Sequence, residues 1–106
     1  AWNFGPNNEE TITVKEVVKN IKNIWGRIYY EISQSEQDLH EANLLKLDCS
    51  KAFSKLKWEP IWSKDKSIES TIKWYRNFYE NNNILSLEDI ANYVHAANNK
   101  NMEWAK

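Results

Sequence analysis

"TVKEVVKNIKNIWGRIYYEIS", residues 13–33, changes its apolar period part-way along, and that change sets the expected fold. In the first half Val14, Val17, Val18, Ile21, Ile24 and Trp25 recur at the three- and four-residue spacing that lines one face of a helix. Thr13 with Glu16 three residues later forms a capping box, which satisfies two of the free amides at a helix start. Gly26 then stops the helix. Beyond it Ile28, Tyr30 and Ile32 alternate with Tyr29, Glu31 and Ser33, the period of a strand with one buried face.

Two further strands are expected. "AWNFGP", residues 1–6, reads as an apolar strand running into a Gly-Pro turn, an element that needs a preceding partner and suggests a piece of a longer protein. Leu44 to Leu47 is the other, following a polar loop from Gln34 to Ala42. Asp48 caps a short helix through about Leu56, which leaves by "KWEP". Ser63 or Asp65 opens the longest helix, with Ile68, Ile72, Tyr75 and Tyr79 on one stripe, Trp74 and Phe78 beside it, and the run Asn81–Asn83 at its end. Ser86, Leu87 and Asp89 open a last helix carrying Leu87, Ile90, Ala91 and Val94. The expected class is α/β, with few short strands and about four helices in one domain over residues 1–106.

Composition narrows the function. A net charge of −1 with lysines spread along the chain gives no footprint for nucleic acid and no basic membrane patch. No apolar run approaches the roughly 18 residues that span a bilayer, so a cytoplasmic protein is expected. With glycine only at positions 5 and 26 a glycine-rich phosphate loop is impossible, and a single cysteine builds neither a disulfide framework nor a zinc site.

Chemistry-bearing residues are few. Cys49 sits at a helix start, where a packed, inert thiol is the expectation. His95 is expected on a helix face without further ligands. Trp58, Trp62, Trp74, Tyr75, Phe78 and Tyr79 have spacing that suits a core rather than a stacking platform. No serine has a histidine partner in a triad pattern, so no catalytic residue is assigned. His40 and Glu41 remain, in a loop before a strand, where polar residues are ordinary but ligand groups also concentrate.

The run "HEANLLKLDCSKAFSKLKWEPIW" from residue 40 to 62, with "AWNFGP" before it and "TIKWY" at 71–75, resembles the C-terminal part of CDP-glucose 4,6-dehydratases, within the extended short-chain dehydrogenase/reductase family. The resemblance implies that a larger N-terminal Rossmann domain, absent from this chain, holds NAD and the catalytic groups, and that these residues form the nucleotide-sugar-binding portion. It implies CDP-glucose as substrate, CDP-4-keto-6-deoxyglucose as product and a homo-oligomeric parent enzyme, this chain alone being inactive. A binding or interaction module, or a fragment of another nucleotide-sugar dehydratase or epimerase, is the alternative.

Relatives of this kind carry an Arg-Pro-Gly-x-Asp stretch in the loop. Glu41 falls at the Asp position, where a carboxylate accepts from a ribose hydroxyl, and Gln37 falls at the Arg position, without the charge for a bidentate diphosphate contact. Asp38-Leu39 replaces the Pro-Gly pair, and His40 lies beside Glu41. Gln37, His40 and Glu41 are the substrate-binding candidates. Faces left open by the absent domain, around the opening strand and Tyr29–Tyr30, favour weak self-association.

Overall fold

The computed structural model describes residues 1–6, 12–31 and 47–106. Four helices follow in chain order, α1 (Val14–Ile24), α2 (Ser50–Leu56), α3 (Lys64–Asn81) and α4 (Ser86–Asn99), then a short 3₁₀ turn at Glu103–Ala105. Among the described residues there is no strand, so the expected α/β class is corrected to all-helical there.

The reason is instructive at 28–31. Ile28 and Tyr30 are half-buried while Tyr29 and Glu31 are exposed, so the alternation read from sequence is present as one-sided packing. A strand also needs a neighbour to pair its amides and carbonyls, and among the described residues none lies alongside. Instead the Ile28 amide donates to Trp25 O at 3.1 Å and its carbonyl accepts from Lys22 Nζ at 2.7 Å. Residues 1–6 are likewise tied by side chains. Asn3 Nδ2 donates to Asp48 O at 3.2 Å, Lys51 Nζ to Ala1 O at 3.0 Å, and the Phe4 ring meets Trp58 edge-on at 4.9 Å. Of the expected strand at 44–47 only Leu47 is described, and it is not in a strand; Ile32 and Ser33 also lie outside the described residues.

Helices α1 and α3 begin on the caps the sequence offers, whereas α2 and α4 start at Cys49 and Leu85 without a side-chain cap. Thr13 accepts from the Glu16 amide at 3.3 Å while the Glu16 carboxylate accepts from the Thr13 amide at 2.8 Å, completing the capping box of α1. Ser63 caps α3 by accepting from the Lys66 amide at 3.2 Å. Asp48 binds the Ser50 amide at 2.9 Å and its hydroxyl, one residue outside the first turn of α2.

Packing is sparse. Ile61, Ala97 and Ala105 form a buried cluster, covered by Trp62, Tyr93, Ala96 and Met102. Both backbone groups of Ile61 are taken by the α4 side: its amide donates to Tyr93 Oη at 3.2 Å and its carbonyl accepts from Lys100 Nζ at 2.8 Å. Elsewhere α1 lies on α3, where Trp25 stacks on Tyr79 at 6.3 Å and donates its indole N–H to Glu80 at 3.0 Å. Glu80 also accepts from Arg76 Nε at 2.9 Å and meets Arg27 at 3.6 Å. The Arg76 guanidinium, then the Trp25 indole, hold its carboxyl below the usual range.

Candidate functional site

Gln37, His40 and Glu41 lie outside the described residues. The described half of their motif starts at Leu47 and runs into α2. There Gly5 and Pro6 on one side, and Asp48, Cys49, Ser50, Phe53 and Ser54 of the α2 region on the other, border an open groove of about 370 Å³ that Trp58 and Pro60 close below. The volume is at the lower end of the range for small-molecule sites.

Each wall has a local cause. The Asx-type turn of Asp48 onto Ser50 fixes the carboxylate at the helix start, and the Ser50 hydroxyl and amide hold that carboxyl below its usual range. Farther along the same α2 wall Phe53 is 58% exposed and thus open to a flat partner. Gly5 comes close: a Cβ there would stand 3.5 Å from Leu47 Cδ1 and 3.6 Å from Cys49 Sγ, ordinary contact without strain. Cys49 is half-buried at the start of α2, as expected from its position.

A second groove, of about 330 Å³, runs between α3 and α4 and is bordered by Trp62, Ser70, Trp74, Tyr75 and Asp89. Trp74 is fixed there by an indole N–H donated to Ser86 Oγ at 2.9 Å. The ring set read as core divides in two: Trp58, Trp62 and Trp74 are half-buried, but Tyr75, Phe78 and Tyr79 are exposed, Tyr79 by 70%. The last three join Trp74 in a ladder along α3, with Trp74 stacked on Phe78 at 5.5 Å and Tyr75 on Tyr79 at 6.4 Å. Their four-residue spacing signals a shared face and says nothing of burial, which is why the sequence pointed to a core. His95 is exposed on α4.

The geometry thus supplies an aromatic and hydroxyl-lined groove between residues 5–6 and the start of α2, with the Asp48 carboxylate in its lining. No known family model matches the chain, and no solved structure matches it. A curated CDP-glucose 4,6-dehydratase of Salmonella typhimurium is 35% identical over 98 residues. The resemblance read from the motifs is borne out. The match takes in 91% of this chain and 27% of the dehydratase, so the chain spans about a quarter of that enzyme's length. Among the described residues no helix is long and apolar enough to cross a membrane.

The described residues do not fit NAD. Among them no strand leads into a helix through a glycine-rich turn, Gly5 lies against Leu47 and Cys49, and Gly26 follows a helix instead of opening one.

Proposed function

We propose that this chain is the substrate-side part of a cytoplasmic, NAD-dependent CDP-glucose 4,6-dehydratase that forms CDP-4-keto-6-deoxyglucose. The observation that carries the reading is the 35% identity to such an enzyme along 91% of the chain. NAD and the groups that move hydride and water belong to the remainder of the parent. The part played here is to grip the nucleotide end of the substrate. Glu41 accepts a hydrogen bond from a ribose hydroxyl, His40 stands beside it, and Gln37 gives the diphosphate a neutral contact in place of an ionic one. The groove beside α2 supports this, because hydroxyls and the exposed Phe53 ring line it a few positions along the chain from those three residues.

A chimera tests it. This chain replaces the matching stretch of the Salmonella enzyme, and turnover of CDP-glucose is measured. Retained turnover is expected, with Glu41→Ala raising KM about 10- to 150-fold, the equivalent of losing one charged hydrogen bond of roughly 1.5–3 kcal/mol. Turnover changes less, since the ribose is remote from the reacting carbons. His40→Ala is expected to do less than Glu41→Ala. A folded chimera that does not bind CDP-glucose sinks the reading, as does micromolar NAD binding by the 106-residue chain alone.

A further inference from the structure

The groove between α3 and α4 takes its lining from helix geometry. On α3, Ser70 lies four residues from Trp74 and Thr71 four from Tyr75, so the two pairs form one strip of that helix. The Trp74 indole N–H, donated to Ser86 Oγ at 2.9 Å, turns the start of α4 towards the strip. Asp89 stands three residues beyond Ser86 on the same side of α4, which brings it into the lining. Trp62, just ahead of α3, completes the set.

Asp89 is half-buried, and among the described residues its carboxylate has neither a hydrogen bond nor an ion pair. Its early position in α4 accounts for an acid, since a helix start carries about half a positive charge, but Glu88 meets that need from the exposed side. It does not account for a carboxylate set beside rings. Half a charge leaves the Asp89 end of the groove negative, and the rings of Trp62, Trp74 and Tyr75 attract positive charge as well. An ammonium of the chain itself already uses this wall: Lys66 Nζ lies over the Trp62 ring at 5.9 Å, its charge answered by Glu69 at 3.5 Å. The hydroxyls agree. The Thr71 proton goes to Ser67 O at 2.8 Å, so its oxygen can only accept from a ligand, and Ser70, with no such commitment, can accept too. Acceptors, an unanswered negative charge and ring surface complement a ligand with donors, a positive charge and an apolar body. An anion would be repelled, and a neutral polyol would leave the charge unanswered.

We propose that this groove binds a small primary amine, its ammonium donating to Asp89 and to the hydroxyl oxygens of Ser70 and Thr71 while its apolar body lies against Trp62, Trp74 and Tyr75. A primary ammonium suits the lining better than a fully methylated one, because its N–H groups match these acceptors. The groove is open and about 330 Å³ in volume, so the ligand is small and its binding weak, in the millimolar range. The proposal is independent of the substrate reading, since none of these residues is assigned to the nucleotide.

Titration of the 106-residue chain with phenethylamine, followed by N–H correlation spectra, tests it. The indole N–H signals of Trp62 and Trp74 and the amide signal of Asp89 are expected to move together and to saturate in the millimolar range. Phenethyl alcohol, of the same shape without the charge, is expected to bind about tenfold more weakly, and phenylacetate not at all. Asp89→Asn weakens the amine about tenfold and erases its advantage over the alcohol, whereas Glu88→Gln, outside the lining, changes it by less than about twofold. Dispersed indole signals in each spectrum show that the variant is folded. Equal affinity for amine and alcohol, an Asp89→Asn chain that binds the amine as the wild type does, or no shift at tens of millimolar amine overturns the proposal. A wild-type chain without dispersed indole signals has no groove of this kind and overturns it too.

Discussion

Among the described residues, three other than glycine hold left-handed backbone, Lys57 at φ 54°, Asn82 at φ 52° and Asn101 at φ 58°, and each stands just beyond a helix. At α3 the asparagine lets Asn82 N–H reach Phe78 O at 3.0 Å and Asn83 N–H reach Asn77 O at 3.2 Å, which closes the last turn. Lys57 does the same for α2 through Trp58 N–H to Ala52 O at 3.3 Å, but lysine has no local hydrogen bond to offset the clash of its Cβ in this region. Lys57→Gly is therefore expected to raise stability by about 0.5–1 kcal/mol, the roughly 1–2 kcal/mol of relieved clash less the extra freedom of glycine in the unfolded chain. Asn82→Ala is expected to lower it by about 1 kcal/mol. Urea titrations of both variants check the pair of signs. The asparagine run was legible beforehand, since asparagine tolerates this conformation. The stop at Lys57 was not, because nothing in a lysine announces it. Gly26 misled in the other direction. No glycine has positive φ, and α1 ends at Ile24 with Trp25 N–H on Ile21 O at 2.8 Å and the Lys22 ammonium on Ile28 O.

At the scale of elements, one carboxylate is a polar link between α1 and α3, beside the stack of Trp25 on Tyr79. Glu80 binds Trp25 beyond the end of α1 and Arg76 a turn back on α3. Its folded value lies below the ordinary 4.5, so it stabilises the fold above that pH, and the contribution is lost as pH falls through the lower folded value. Glu16, held down by Thr13, and Glu69, held down by Lys73, act in the same direction. Acidification below 4.5 is thus expected to loosen α1 from α3 and shift tryptophan emission to longer wavelength. Glu80→Gln should show part of that shift already at neutral pH and less further change on acidification; an identical acid titration would rule Glu80 out as the joint. All four helices were legible, α1 and α3 from caps that hold, while α2 and α4 start at Cys49 and Leu85 without a side-chain cap. The strands were not, because alternation records which side of a segment is covered, while pairing depends on a neighbour that the alternation does not contain. The same limit explains α3, where the stripe of Ile68, Ile72, Tyr75 and Tyr79 was correct as a face but only Ile72 is buried.

For the whole molecule, size and burial disagree with an independent domain. The radius of gyration is 16.6 Å, against about 13 Å for a compact domain of this length. The buried apolar side chains among the described residues are Ala52, Ile61, Ile72, Ala97 and Ala105, three of them alanines. Little stability is held in reserve. Ile72→Ala should cost about 2–4 kcal/mol, enough to abolish the near-ultraviolet dichroism of the tryptophans in the isolated chain at 25 °C, while the same change in the chimera leaves it folded. Loss of signal in both, or in neither, would contradict this. The site was legible only through resemblance: Glu41, His40 and Gln37 were placed by motif, and spacing alone left them as ordinary loop residues. The groove beside α2 had no signature at all, since it arises where residues 1–6 fold back on α2 across more than forty positions of sequence. That fold-back gives the single thiol a use as a clock. Gly5 stands beside the half-buried Cys49, whose thiol the opening segment partly screens, so alkylation by iodoacetamide speeds up as that segment lifts away and its rate reports on the detachment. Removing the Phe4 ring from Trp58, in Phe4→Ala, should speed labelling several-fold, and a saturating nucleotide sugar in the groove should slow it in the chimera.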